Sequence, residues 1–415
     1  MSSRRNQRRA KQVRRTNVRA ARHAQQPPTP EQIALRIVRE YAEPLNSRDP
    51  VDAEAIASFL MATGYEQLLA LDPELQAEAP HPALPVISLL RNLRLEPGEL
   101  LDATLALAIA LRDSDREDPQ VAAAGAVLVE LLRGSGATDP EWADSIGRYE
   151  LGTLVDIRDA WGDHHQLLLE FRDASGRTHG LSVEIDATDD FQVQDIEVLE
   201  DIGGFIEEMR TKVAEDEDAD LLQLVELSPA RVGDLLQAGI ESTWESSGEA
   251  IAENDAIPLF GLLLARAGLF AEALEAASDT ELHDAAFDSE LDALDHDALL
   301  ARLVASPERA AETEATDAAL AEVVAFAIEN RELYRSRFAP SDVAMFLLDH
   351  MAEHEDVQLR GEVAALLAAA RAWAMFSAET LGLPDALRQD VRRAISYYGV
   401  QYAQEIGALP AGALD

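Results

Sequence analysis

The sequence predicts an α+β protein that is mainly α-helical, with two helical regions flanking a small antiparallel sheet of three to four strands. Apolar residues recur at helical spacing along most of the 415 residues. Only the stretch 149–195 alternates with the period of a β-strand. The turn pairs Gly162-Asp163 and Ser175-Gly176 divide this stretch, which favours a meander of short strands.

Charge divides the chain into a basic beginning and an acidic body. The formal net charge is −42, yet the first 30 residues carry nine arginines and lysines and no aspartate or glutamate. The rest of the chain carries 26 basic and 77 acidic residues. Such an acidic body repels nucleic acids and anionic membranes. Because the sequence contains no cysteine, disulfides, thiolate metal sites and cysteine nucleophiles are excluded.

Residues 1–30 are predicted to form a disordered, arginine-rich arm, because they offer almost no apolar face that could pack. One interpretation is that the arm orders on the phosphate backbone of a nucleic acid. The other is a tail that docks loosely on the acidic body or has no specific partner. No aromatic residue interleaves the basic ones, so the arm has no platform for base stacking. The candidate nucleic-acid-binding residues are Arg4, Arg5, Arg8, Arg9, Lys11, Arg14, Arg15, Arg19 and Arg22.

Residues 31–147 are predicted to form the first helical region. Thr29 can cap a helix that has proline at its first position and Glu31 in its first turn. The segment Thr104–Leu111 is apolar on nearly all sides, so we expect it at the buried centre of this region. The remaining helices are predicted over Asp52–Met61, Leu84–Leu93, Glu99–Leu111 and Val121–Leu132.

Residues 148–200 are predicted to form the β-meander. Its strands are expected at Leu151–Ile157, Gln166–Phe171 and Gly180–Ile185. Periodicity does not decide whether Gln192–Val198 adds a fourth strand or begins the next helix.

Residues 201–415 are predicted to form a C-terminal helical bundle, with helical sequence from Leu221 to the end. Proline and glycine divide it into segments without a fixed repeat period. These segments are Val232–Ile240, Ile257–Arg266, Phe270–Ala277, Ala298–Val304, Leu320–Asn330, Val343–Met351, Val363–Ala378 and Leu387–Gln404.

The turns of the meander contain the best candidates for a metal site, namely Asp163, His164, His179 and Asp186. Histidines and carboxylates that meet at strand ends can bind a divalent ion, whose bound water can act as a nucleophile. His164 and His165 are adjacent and therefore point to opposite faces of a strand, so only one of them can join a given site. Aspartate beside glycine is also an ordinary turn residue, which is the competing interpretation.

A second histidine pair, His350 and His354, is spaced by four residues within a predicted helix. A metalloprotease helix requires glutamate directly after the first histidine, and Met351 stands there. We therefore interpret this pair as surface histidines. The sequence also lacks a P-loop, a dinucleotide-binding glycine turn and a Gly-x-Ser-x-Gly nucleophile elbow.

Two stretches resemble an uncharacterised protein family of high-GC Gram-positive bacteria, described as helical proteins with a small central β-meander. They read DIRDAWGDHHQLLLEF with HGLSVEIDATDDFQVQDIEV, and FAPSDVAMFLLDHMAEHEDV with LLAAARAWAMF and GLPDALRQDVRRAI. Asp186 and Asp195 match the family pattern, whereas Ala187 replaces a histidine. His350 and Met351 depart from the tryptophan and basic residues usual there. The resemblance implies a bacterial, cytoplasmic protein. It does not point to any particular activity.

These observations favour a non-catalytic intracellular interaction or regulatory protein with a basic tether on an acidic body. One alternative is a metal-dependent hydrolase that uses the sheet turns, and another is a nucleic-acid-associated protein that binds through residues 1–30. No cofactor is expected, and the oligomeric state stays open. No apolar run approaches the roughly 20 residues of a membrane span, and no secretory signal is recognisable, so we expect a cytoplasmic protein.

Overall fold

The computed structural model describes residues 29–71, 75, 79–115, 118–188, 191–215, 222–245, 254–282, 290–330 and 337–409. The basic residues of the predicted arm, from Arg4 to Arg22, lie outside this described part. Helices make up 62% of the structure and the strands form one antiparallel sheet, which confirms the predicted mainly helical α+β class. The chain divides into two compact units, residues 1–148 with 257–265 and residues 149–256 with 266–415.

The first unit is helical, and three of its described helices begin at a residue whose side chain caps the helix, namely Thr29, Asp49 and Asp118. Thr29 and Gln32 form a capping box, in which the Gln32 N–H donates to Thr29 Oγ1 at 3.3 Å and the Thr29 N–H donates to Gln32 Oε1 at 2.9 Å. Residues 103–111 are all buried, as expected for the centre of this region. The helices are α1 (Pro30–Glu40), α2 (Ala42–Leu45), α3 (Pro50–Leu69), α4 (Ala83–Arg91), α5 (Glu99–Asp113) and α6 (Pro119–Gly134).

The second unit contains the sheet, which has five strands in the order β4-β3-β2-β1-β5, with antiparallel neighbours. The strands are β1 (Tyr149–Asp159), β2 (His164–Asp173), β3 (Thr178–Asp186), β4 (Gln192–Leu199) and β5 (Leu222–Glu226). The ambiguous segment at Gln192 is thus a strand. The predicted count of three to four strands falls short of the five strands observed, because β5 lies where helical sequence was expected.

Strand β5 has no strong local signal, which explains why the sequence did not reveal it. It is five residues long, and none of its side chains is fully buried. Its pairing with β1 over Val155–Asp159 is a tertiary interaction that a short apolar alternation does not predict.

Helix α7 (Ile202–Glu215) covers one face of the sheet, where Ile202 and Ile206 pack with Val155 and Leu168. The packing requires glycine at position 180, because a Cβ there would lie 2.2 Å from Ile202 Cδ1. Helix α8 (Pro229–Glu245) packs against the opposite face.

The remaining helices continue the chain to its end. Their largest core contains Trp373, Phe338 and Phe346, and Trp161 from the β1–β2 turn joins it. A π-helical turn, Met345–His350, lies directly after α15. The helices are α9 (Phe260–Ala267), α10 (Ala271–Ala276), α11 (Asp279–Leu282), α12 (His296–Val304), α13 (Pro307–Ala311), α14 (Asp317–Asn330), α15 (Pro340–Ala344), α16 (Val357–Gly361), α17 (Val363–Thr380) and α18 (Asp385–Glu405).

One described helical stretch, Ile257–Ala276, is long and apolar enough to cross a membrane by length and composition alone. The sequence predicts no such span. Of the most apolar part of this stretch, 39% is buried. A single stretch of this kind is weak evidence for a membrane span, because core helices of water-soluble proteins meet the same criterion.

Candidate functional site

The β1–β2 turn is tied to two other parts of the second unit through Asp163. The Ser341 hydroxyl, at the start of α15, donates to Asp163 Oδ2. The Ala187 N–H donates to the Asp163 backbone carbonyl at 2.7 Å, which fixes the loop after β3. The side chain of Asp163 is therefore almost fully buried and holds the turn in place.

Asp159 organises the same turn from the end of β1. Its Oδ1 accepts the backbone N–H groups of Trp161 at 3.0 Å and Asp163 at 2.9 Å. Burial, and then the nearby Asp163 carboxylate, raise the pKa of Asp159. The two carboxylates thus stand close together in a partly desolvated place, where a cation would relieve their repulsion.

The structure brings three of the four predicted metal-site residues to this end of the sheet. His164 pairs with Asp186 across β2 and β3, and His164 Nδ1 lies 3.5 Å from Asp186 Oδ1. Asp186 Oδ1 also accepts the Thr188 N–H and hydroxyl, at 2.8 and 2.6 Å, as a turn residue does. His179 lies near the opposite end of β3, about 23 Å away along the strand, and does not join them.

A cleft of about 670 Å³ opens beside the turn. It combines the carboxylates of Asp159, Asp163 and Asp390 with the aromatic rings of Trp161 and Tyr398. The described residues that line it are Asp159, Trp161, Asp163, His164, Thr188, Leu222, Pro340, Ser341, Ala344, Met345, Asp390 and Tyr398. Sequence reasoning did not find Ser341, Asp390 or Tyr398, because they lie more than 150 residues after the turn and only the fold brings them there.

Trp161 is the distinctive side chain of this cleft. It is 5% exposed, and its indole N–H has no hydrogen-bond acceptor within the described part of the chain. A buried polar hydrogen without an acceptor is costly, by about 1–3 kcal/mol. The cleft is therefore lined by a tryptophan whose buried donor is unsatisfied within the described residues, together with three aspartates.

His179 belongs to a separate, buried polar centre with Arg266. The Arg266 guanidinium lies 3.9 Å above the Tyr149 ring centre, and its Nη2 lies 3.2 Å from His179 Nε2. The His179 ring stacks on Phe171 at 5.5 Å. Burial, and then the Arg266 charge, lower the pKa of His179 to about 3. His179 is thus neutral, and its Nε2 lone pair accepts a hydrogen bond from Arg266 and is not available to a metal.

The adjacent histidine behaves as the strand geometry predicts. His164 is exposed, whereas His165 points into the protein and its Nδ1 lies 2.9 Å from Asp156 Oδ2. Phe191, which has a positive φ of 64°, contacts the His165 ring. The strand pattern predicts that His165 faces away from His164, but it does not reveal the buried pair that His165 forms with Asp156.

A further cluster joins His350 and His354 to Glu322 of α14. Their Nε2 atoms lie 2.6 and 3.2 Å from the same atom, Glu322 Oε1. The two side chains are 28% and 21% exposed, so they are less accessible than the surface histidines expected from the sequence. No spacing rule connects Glu322 to a histidine pair 28 and 32 residues later, and the sequence could not reveal the cluster.

Comparison with known proteins adds no functional assignment. No family model, no curated protein and no solved structure matches this chain.

Proposed function

We propose that this chain is a non-catalytic interaction or regulatory protein whose cleft binds a cationic side chain of a partner polypeptide. The observation that carries the proposal is the side chain of Trp161, which lines an acidic cleft and whose buried indole N–H has no acceptor within the described residues. A ligand that is cationic and also carries a hydrogen-bond acceptor satisfies both features.

The carboxylates and the aromatic rings of the cleft favour a cationic ligand. Asp159, Asp163 and Asp390 line the cleft, and none of its described lining residues is arginine or lysine. The raised pKa of Asp159 reflects burial and like charge, and a bound cation would offset both. Aromatic faces such as those of Trp161 and Tyr398 attract guanidinium and ammonium groups in addition to the carboxylates.

The need for a hydrogen-bond acceptor on the ligand favours a polypeptide over a free amine. An arginine or lysine residue presents its charge together with backbone carbonyl oxygens, and one of these can accept the Trp161 N–H. A free diamine or guanidine carries the charge alone and would leave the indole hydrogen without a partner. The cleft is also wide enough for a side chain with its own backbone.

Calorimetric titration of three small probes tests this proposal. N-acetyl-arginine amide carries the charge and carbonyls, n-butylguanidinium carries the charge alone, and N-acetyl-norleucine amide carries carbonyls alone. We expect the first to bind about tenfold or more tightly than either of the others. A charge-assisted hydrogen bond contributes about 1.5–3 kcal/mol, and leaving the buried indole N–H without an acceptor costs about 1–3 kcal/mol. Asp159→Asn should weaken its binding by a similar factor.

Asp297→Asn is the matched control, because Asp297 is almost fully exposed and far from the cleft in sequence. Equal affinity of the three probes, or equal loss of affinity in both variants, would overturn the proposal.

Stoichiometric binding of Zn²⁺, Mn²⁺ or Mg²⁺ that is lost in Asp163→Asn would instead support a metal-dependent hydrolase at the sheet turns. Binding of nucleic acid through residues 1–30 stays a separate prediction, with a steep salt dependence as its signature.

A further inference from the structure

We infer that Glu322, His350 and His354 form a binding site for a divalent transition-metal ion. Each offers one ligand atom, and the three atoms lie within 4.8 Å of one another. This site is independent of the cleft and of its proposed cationic ligand, because the two have no residue in common.

The local fold arranges the three side chains before any ion binds. The Met351 N–H donates to the Phe346 carbonyl at 2.9 Å, which is the wide spacing of a π-turn, and the helix ends at His350. His354 therefore lies in the following turn and not on the helix. Phe346 stacks on the His350 ring with an angle of 22° between the planes, which fixes the orientation of the imidazole.

The ligand set selects the class of metal. Two imidazoles and one carboxylate suit zinc, iron, cobalt and nickel better than calcium or magnesium, which prefer oxygen ligands. The separations of 2.6 and 3.2 Å from the histidine nitrogens to Glu322 Oε1 need to open only slightly around an ion with bonds of about 2.0–2.2 Å. Three protein ligands leave at least one position for water or another ligand.

The site has an entry path of suitable charge. It borders a surface depression that is lined by His350 and His354 and by four carboxylates, Asp349, Glu353, Glu355 and Asp356. These acidic groups raise the local concentration of divalent cations.

In the structure, His354 Nδ1 accepts the backbone N–H of Asp356 at 3.1 Å. The neutral ring therefore carries its hydrogen on Nε2, which faces Glu322 Oε1 at 3.2 Å. An ion bound to Nε2 moves that hydrogen to Nδ1, so the Asp356 N–H loses its acceptor. Asp356 also caps α16 through its side chain, and metal binding is thereby linked to the first residues of that helix.

The test is calorimetric titration of the chelator-treated full chain with Zn²⁺, together with the visible absorption spectrum of the Co²⁺-loaded protein. We expect one equivalent to bind to this cluster. His354→Gln and Glu322→Gln should each weaken binding by about 100-fold or more, since loss of even an outer-shell partner costs about 10–100-fold. The backbone N–H of Asp356 should exchange faster in the metal-loaded protein.

His296→Gln is the matched control. It removes another partly exposed histidine, whose Nδ1 lies 3.2 Å from a single carboxylate, Asp297, and it should leave Zn²⁺ binding unchanged. The inference fails if the wild-type chain binds no stoichiometric Zn²⁺ or Co²⁺. It also fails if binding persists in both cluster variants, or if it is lost only on His164→Gln at the sheet turns.

Discussion

The two ends of the sheet contain similar types of residue, but these residues are buried at one end and border an open cleft at the other. At one end, Arg266 lies between His179 and the Tyr149 ring, and the whole centre is buried. At the other end, Asp159 and Asp163 border an open cleft, and Trp161 has a donor with no acceptor in the described structure. Both ends contain charged and aromatic groups, but the first is closed around the buried Arg266, whereas the second opens onto a cleft.

This difference separates residues that stabilise the fold from residues that can bind a ligand. A buried cation that already has an aromatic face and a histidine acceptor gains little from a ligand. A cleft that is lined by carboxylates and aromatic rings, with no arginine or lysine among its described lining residues, can still take up a cation. The following predictions test whether the first end contributes mainly to stability and the second mainly to binding.

The largest effect is expected when Arg266 is replaced by methionine. The change removes the cation–π contact with Tyr149 and leaves His179 Nε2 without its buried donor, so we expect a loss of about 3–5 kcal/mol in the free energy of unfolding. Urea denaturation measures it. Arg266→Lys keeps the charge and should lose less. An unchanged urea midpoint for the methionine variant would show that this centre contributes no net stability.

The next effect is a dependence of stability on pH that originates at His179. The pKa of this histidine is lowered to about 3 in the folded protein, against about 6.5 for the unfolded chain. Between these values the unfolded state binds more protons, so acidification destabilises the protein by up to about 1.4 kcal/mol per pH unit. The loss should begin as the pH falls below about 6.5.

His179→Gln isolates this contribution, because several carboxylates act in the opposite direction. The pKa values of Asp159, Glu184, Asp195 and Glu197 are raised by burial, and these groups favour the folded state as the pH falls. The difference in unfolding free energy between wild type and variant, measured from pH 7 to pH 4, should therefore shrink with acidification. A constant difference would contradict a neutral, buried His179.

The smallest effect on stability, and a larger one on binding, is expected for Trp161→Phe. The change leaves a small cavity in the core, but it also removes an indole N–H that has no acceptor in the described structure. These effects oppose each other, so the free energy of unfolding should change by no more than about 1 kcal/mol. Binding of N-acetyl-arginine amide should weaken about tenfold. Trp373→Phe is the matched control, because Trp373 also has a buried N–H without an acceptor there but does not line the cleft. Equal loss of binding in both variants would contradict a role for the indole.

Local patterns were sufficient to predict the helical class, the first three strands and the opposite orientations of His164 and His165. They were insufficient wherever a contact joins distant parts of the chain. Strand β5 exists because β1 pairs with it, and His179 is neutral because Arg266 lies beside it, 87 residues later. Likewise, Glu322 meets its histidines through helix packing, which no short motif encodes. The arm from Arg4 to Arg22 lies outside the described residues, and its nucleic-acid binding stays a prediction.

The position of β5 has a consequence for the order of folding. Strands β1 to β4 follow one another as neighbours, whereas Arg158 of β1 meets its β5 partner Gln223 only 65 residues later. Pairing across that separation is slow compared with hairpin formation, so β1 stays an unprotected edge while β5 is still being synthesised. Val155 and Ile157 lie on that edge, and we expect the edge to be prone to aggregation in a growing chain.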